Sequence, residues 1–152
     1  MRSLTYVLGV AVLAGCAKEK PAPEPPAPLP PPPAPAPINL ADVAGNWTVK
    51  AMPETGDSVL VTYTMHATAA DTGWTITFPG RKPMAVQVMT MGDSIMTTMA
   101  AYPSVLRKGQ KVSTQGVMHL KDGKLMGTTT AHYATTKADS VAHLRMEGTK
   151  AP

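Results

Sequence analysis

The stretch Val117-Met118-His119-Leu120-Lys121-Asp122-Gly123-Lys124-Leu125-Met126 decides the reading of this chain. Asp-Gly tolerates positive φ at both places of a two-residue loop, and such a loop matches the right-handed twist of paired strands. Runs rich in Val, Thr and aliphatic residues flank it, as strands require. Folding about the pair sets residues whose numbers sum to about 245 opposite each other, so His119 falls opposite Met126. Segments 111–120 and 124–133 are therefore predicted as antiparallel neighbours.

The same chemistry extends outward. Apolar residues alternate with polar ones, and turn residues punctuate them at Pro53-Glu54-Thr55-Gly56, Asp71-Thr72-Gly73 and Pro79-Gly80. Six more strands follow: 45–51, 59–67, 74–78, 85–91, 94–100 and 140–148. Gly56-Asp57-Ser58-Val59, Gly92-Asp93-Ser94-Ile95 and Ala138-Asp139-Ser140-Val141 each place a turn before a strand. Asp and Ser bond nearby backbone in such turns, so this is recurring turn chemistry and not domain duplication. Short connections and no helical pattern give an all-β domain. Its expected architecture is an eight-stranded antiparallel up-and-down barrel, with a twisted β-sandwich as the alternative. The long connection 101–110 is expected either to cap a barrel mouth or to cross between sheets.

Gly45-Asn46-Trp47, at the start of the first strand, resembles the Gly-x-Trp of lipocalins and related calycins. The resemblance implies a Trp packed at the closed end of the barrel, with an Arg from the last strand lying across it. Arg145 is the matching residue, so the implied closing pair is Trp47–Arg145, a cation–π contact beside Gly45.

Before this domain the composition changes. Arg2 and the apolar run Leu4 to Ala14 read as a secretory leader, too short to span a bilayer. Leu13-Ala14-Gly15-Cys16 resembles the lipobox of bacterial lipoproteins. That resemblance implies cleavage before Cys16, a diacylglyceryl thioether on its sulfur, and an acylated amino terminus. Two or more acyl chains hold a protein on a membrane firmly, where one holds marginally. Ala17 does not resemble an inner-membrane retention signal, so the expected address is the outer membrane of a bacterial envelope. The alternative is secretion after cleavage elsewhere. Pro21 to Pro37 then carries 11 prolines in 17 residues. Proline lacks an amide donor and fixes φ, so polyproline II is expected, an arm of about 50 Å when fully extended. Three parts result: a signal peptide at 1–15, a lipidated terminus and proline-rich linker at 16–37, and a β-barrel domain at 38–152.

Function is less legible. The domain carries 11 Lys/Arg against 8 Asp/Glu, dispersed and without a basic face interleaved with aromatics, which argues against nucleic acid. Cys16 is the only cysteine, so the domain forms no disulfide and no thiolate metal site. No nucleophile elbow, phosphate-cradling loop or His-Glu metal motif occurs, so no catalytic residue, metal ligand or cofactor is nominated, and the chain is read as no enzyme. The oddity is methionine: ten of the 115 domain residues are Met, and Phe78 is the only Phe. Flexible thioethers filling a core poor in aromatics explain this, as does an adaptable apolar pocket. A Cu(I) site is a third reading, because soft thioethers select that ion; Met89 and Met91 share a strand face, with His66, His119 or His132 as partners. His143 completes the four histidines, all expected on the sheet surface. Two functions compete: a lipid-anchored carrier of a small apolar ligand at unassigned residues, and an envelope interaction module without a cavity.

Overall fold

A computed structural model describes residues 36–152. The expected signal peptide, Cys16 and most of the proline-rich stretch lie outside the described residues. One turn of helix, α1 (Leu40–Val43), precedes nine strands. These are β1 (Gly45–Pro53), β2 (Val61–Ala67), β3 (Thr75–Thr77), β4 (Met84–Ala85), β5 (Gln87–Met91), β6 (Ser94–Pro103), β7 (Lys111–Lys121), β8 (Lys124–Tyr133) and β9 (Val141–Lys150). They form one antiparallel sheet in the order β4-β3-β2-β1-β9-β8-β7-β6-β5. The two edges, β4 and β5, are consecutive in the chain and separated only by Val86. The sheet is thus a nearly closed up-and-down barrel, and no second sheet makes a sandwich of the described residues.

The predicted strand 85–91 is what splits. Val86 is buried, and its amide donates to the carbonyl of Trp74 at 3.0 Å. On one side of this bend the segment pairs with β3, and on the other with β6. One bent strand therefore faces both edges of the sheet, so eight expected strands become nine. The other differences lie at strand ends and in α1. Asn39 caps that helix by accepting from the Ala41 amide at 3.0 Å, and buries Val43.

The central hairpin folds as its sequence requires. Asp122 and Gly123 have φ of 52° and 74°, the type I′ pattern, and His119 lies opposite Met126. Tight connections 92–93 and 122–123, loop 68–74 and the segment leading into β1 gather at one end of the barrel. Ile38 donates there to the Gly92 carbonyl at 2.8 Å. The longer loops 54–60, 78–83, 104–110 and 134–140 gather at the other.

The interior is filled by setting large residues against small ones. Met118 lies opposite Gly127, and Gly127 opposite Met146. Leu125 lies opposite Gly148, and Gly148 opposite Val49. A Cβ on Gly127 would lie 2.1 Å from the Val117 carbonyl oxygen, so this close approach admits only glycine. Trp47, Trp74, Met65, Ile95 and Leu125 are the largest fully buried side chains. Overpacking a tight interior costs about 1–3 kcal/mol. Gly127→Ala should lower stability by at least about 2 kcal/mol in urea titrations, while Thr128→Ala, exposed on the outer face, should leave the midpoint nearly unchanged. Equal midpoints for the two variants would contradict the packing account.

Candidate functional site: a filled barrel and a methionine face

The closed end is built on Trp47. Its indole N–H donates to the Val43 carbonyl at 2.7 Å, which ties α1 beneath the barrel. Gly45 has φ of 132°, a conformation that L side chains rarely adopt, and Lys150 packs against it. The cation beside Trp47 is Lys150, whose Nζ is 5.7 Å from the ring centroid. The expected Trp47–Arg145 pair does not form. In the β1–β9 ladder Trp47 pairs with Lys150, whereas Arg145 pairs with Met52, five residues along β1. At about 3.3 Å per residue that is roughly 17 Å away. The Arg145 guanidinium instead donates to the Gly56 carbonyl and to the Asp57 carboxylate at 2.9 Å.

The opposite end is covered. Arg81 donates to the carbonyl oxygens of Pro103 and Ser104, holding loop 104–110 against loop 78–83. Arg107 donates to the Asp139 carbonyl at 2.7 Å, pairs with the Asp139 carboxylate at 3.0 Å and stacks 3.9 Å from the Tyr133 ring centroid. The connection expected at 101–110 thus caps a mouth and crosses between no sheets. Beneath it remains a cavity of about 60 Å³, lined by Tyr63, Phe78, Tyr102, Leu106 and Met146 among others. Pockets for drug-sized ligands run to about 300–1,000 Å³. The space left here would take a few atoms of a ligand.

Two hydroxyls inside share one acceptor within the core, whereas Gln110 Oε1 is buried without a hydrogen-bond partner. The Tyr63 hydroxyl donates to the Met146 sulfur at 3.1 Å, and the Thr129 hydroxyl donates to the same sulfur at 2.8 Å. Burial pushes the Tyr63 phenol far above its ordinary value, with Tyr102 adding to the shift. Burial raises Tyr102 as well.

The ten domain methionines divide between inside and outside. Met52, Met65, Met99, Met118 and Met146 are buried and Met84 is half-buried, whereas Met89, Met91, Met96 and Met126 are exposed. The exposed four lie on one face. Met89 lies opposite Met96, and Met96 opposite Val117, itself exposed. Met91 lies opposite Ser94, Ser94 opposite His119, and His119 opposite Met126. Two adjacent rows across β5 to β8 therefore place four thioethers, Val117 and His119 on one outer face. Comparison with known proteins finds no match: no family, no curated protein and no solved structure resembles this chain closely enough to count.

The histidines separate on this map. His119 alone belongs to the methionine face. His66 bonds Asn46 at 2.8 Å on β2, and His143 lies 3.3 Å from the Thr130 hydroxyl. His132 is exposed on β8 between Ser113 and Val141. Among the described residues no three His, Cys, Asp or Glu side chains gather as a metal-binding group.

The buried phenol makes stability depend on alkaline pH. An unfolded tyrosine ionises near pH 10, whereas folded Tyr63 stays protonated well above that. Between those values the folded chain binds more protons, so stability is fully present below about pH 10 and falls as pH rises further. Thermal melts followed by circular dichroism should show a steeper loss above pH 10 for the parent than for Tyr63→Phe. Parallel curves would contradict this role for Tyr63.

Proposed function

We propose that this chain is a lipid-anchored protein of a bacterial envelope whose barrel works through its outer surface, as a protein-interaction module. The observation that carries the reading is the pairing of a filled interior with an exposed apolar face. Met89 and Met91 are each 63 % exposed and Met126 is 40 % exposed. Contiguous apolar surface of this kind, rimmed by polar residues, is a common mark of a partner site. The rim here is Gln87, Thr98, Gln115 and Thr128 on the same strands. Methionine suits the role, because an unbranched thioether side chain repacks around differing partner shapes. The proline-rich arm would hold this face away from the membrane that the acylated Cys16 enters.

A carrier role would need an interior several times larger than the cavity present. The barrel is therefore expected to show no saturable binding of a fluorescent fatty acid; stoichiometric, saturable binding would restore the carrier reading. Two further measurements test the proposal itself. Mass spectrometry of the mature protein should find Cys16 as the first residue, with a thioether-linked diacylglycerol; an unmodified terminus would overturn the anchor. A photo-reactive side chain at position 91 should give a discrete cross-linked adduct in intact cells. That adduct should vanish on Met96→Lys and should be absent when the probe sits at position 62, on the outer face of β2. The same pattern from both positions would overturn the interaction face.

A further inference from the structure

Met96 is the hub of the methionine face. It lies directly opposite Met89, and it is the diagonal neighbour of both Met91 and His119 across the ladders that join β6 to β5 and β7. Directly opposed Cβ atoms on one face are about 5 Å apart, and diagonal ones about 7–8 Å. Those spacings bring Met89, Met91 and His119 each within side-chain reach of Met96 on the strand between β5 and β7. His119 is oriented toward the same purpose. The Ser94 hydroxyl donates to the Asp93 carboxylate at 3.1 Å, which leaves its oxygen to accept from His119 Nδ1–H at 3.3 Å. The Asp93 carboxylate is itself 3.7 Å from Nδ1. With the proton on Nδ1, the lone pair falls on Nε2. This is the arrangement by which metal-binding histidines have their tautomer fixed from behind.

We infer that Met89, Met91, Met96 and His119 form a binding site for a soft monovalent metal ion, Cu(I), with three thioether sulfurs and His119 Nε2 as donors. The donor set decides the class of ion. Neutral thioethers bind Cu(I) and discriminate against hard cations, which call for carboxylate or carbonyl oxygen. Among the described residues no three His, Cys, Asp or Glu side chains gather there to recruit such cations. It also offers no cysteine, so the ligands cannot be lost to disulfide formation. The site uses the face proposed above for a protein partner but does not depend on that partner.

The test uses the full chain carrying Cys16→Ser, which removes its single thiol. Cu(I), kept reduced by ascorbate under anaerobic conditions, is titrated in competition with a coloured Cu(I) chelator. One equivalent should transfer from the chelator to the protein, and the melting temperature should rise, because an ion that binds only the folded state stabilises it. The triple variant M89L/M91L/M96L should bind at least tenfold more weakly, and His119→Gln should also weaken binding. Leucine preserves apolar volume at exposed positions, so the metal-free triple variant should melt like its parent. The titration contains no other protein, so its outcome stands whether or not the cross-linked adduct forms, and failure of the metal site is distinguishable from failure of the docking face. Absence of transfer, equal affinity in parent and triple variant, or equal binding of Zn(II) would each overturn the inference.

Discussion

Everything in the domain depends on the ladder between its first and last strands. β1 and β9 pair from Trp47–Lys150 to Pro53–Leu144, and this joins residues nearly a hundred positions apart. Without it the remaining strands would be a meander with two long edges, each a row of unsatisfied amides and carbonyls. With it the only edges left among the described residues are β4 and β5, and these meet through Val86. The bend there does what a continuous strand could not. It turns the backbone from one partner to the other while sending an apolar side chain into the core. Loop-closure entropy opposes the β1–β9 contact. The contact is held by what it buries: Trp47 and Val49 on one strand and Met146 on the other.

The barrel is narrow because its sequence makes it so. Glycines at 116, 127 and 148 fall on inward-facing places of three successive strands, and each would put a Cβ within about 3 Å of a neighbouring atom. They let Met118, Met146 and Leu125 cross the interior where bulkier neighbours would push the strands of the wall apart. Small barrels commonly fill themselves by such alternation of small and large residues. A lumen packed this way gives up volume for cohesion, and the aromatic cluster Tyr63–Phe78–Tyr102 closes what remains, with ring centroids 5.2 and 5.7 Å apart. The loops above are then fastened by arginines, not left as a free rim.

Much of this was legible from local chemistry. Asp122-Gly123 fixed a register that puts His119 opposite Met126, because the loop type admits no other count of residues. Alternation located the strands, and the turns bounded them. The split at Val86 was not legible: an apolar residue in an apolar run gives no sign of a bend, and the cause is a distant carbonyl on Trp74. The partner of Trp47 was misassigned for a related reason. Arg145 is the one arginine inside the expected last strand, but β9 runs on to Lys150, and only the β1–β9 register shows which cation reaches the indole. The methionine face lay between these cases. Reading Gly92-Asp93 as a two-residue loop sets Met89 against Met96, yet their shared exposure follows only once the barrel assigns inside and outside.

That assignment gives methionine two distinct roles in one domain. Inside, its flexibility is spent on filling irregular space, and the Met146 sulfur is a hydrogen-bond acceptor for Tyr63 and Thr129. Outside, the same side chains have no packing to perform, and water gains nothing from them. Leu or Val would serve a purely apolar face as well, with stronger strand preference for the β-branched choice. Threonine, which the chain uses freely on its outer strands, would serve solubility better. The repeated placement of thioethers on adjacent strands, with an imidazole held by Ser94 and Asp93 at their border, is therefore best explained by what sulfur does that carbon cannot. Adaptable contact and soft-metal coordination are the two proposed uses that fit, and on this barrel both would act at the wall and not in the lumen.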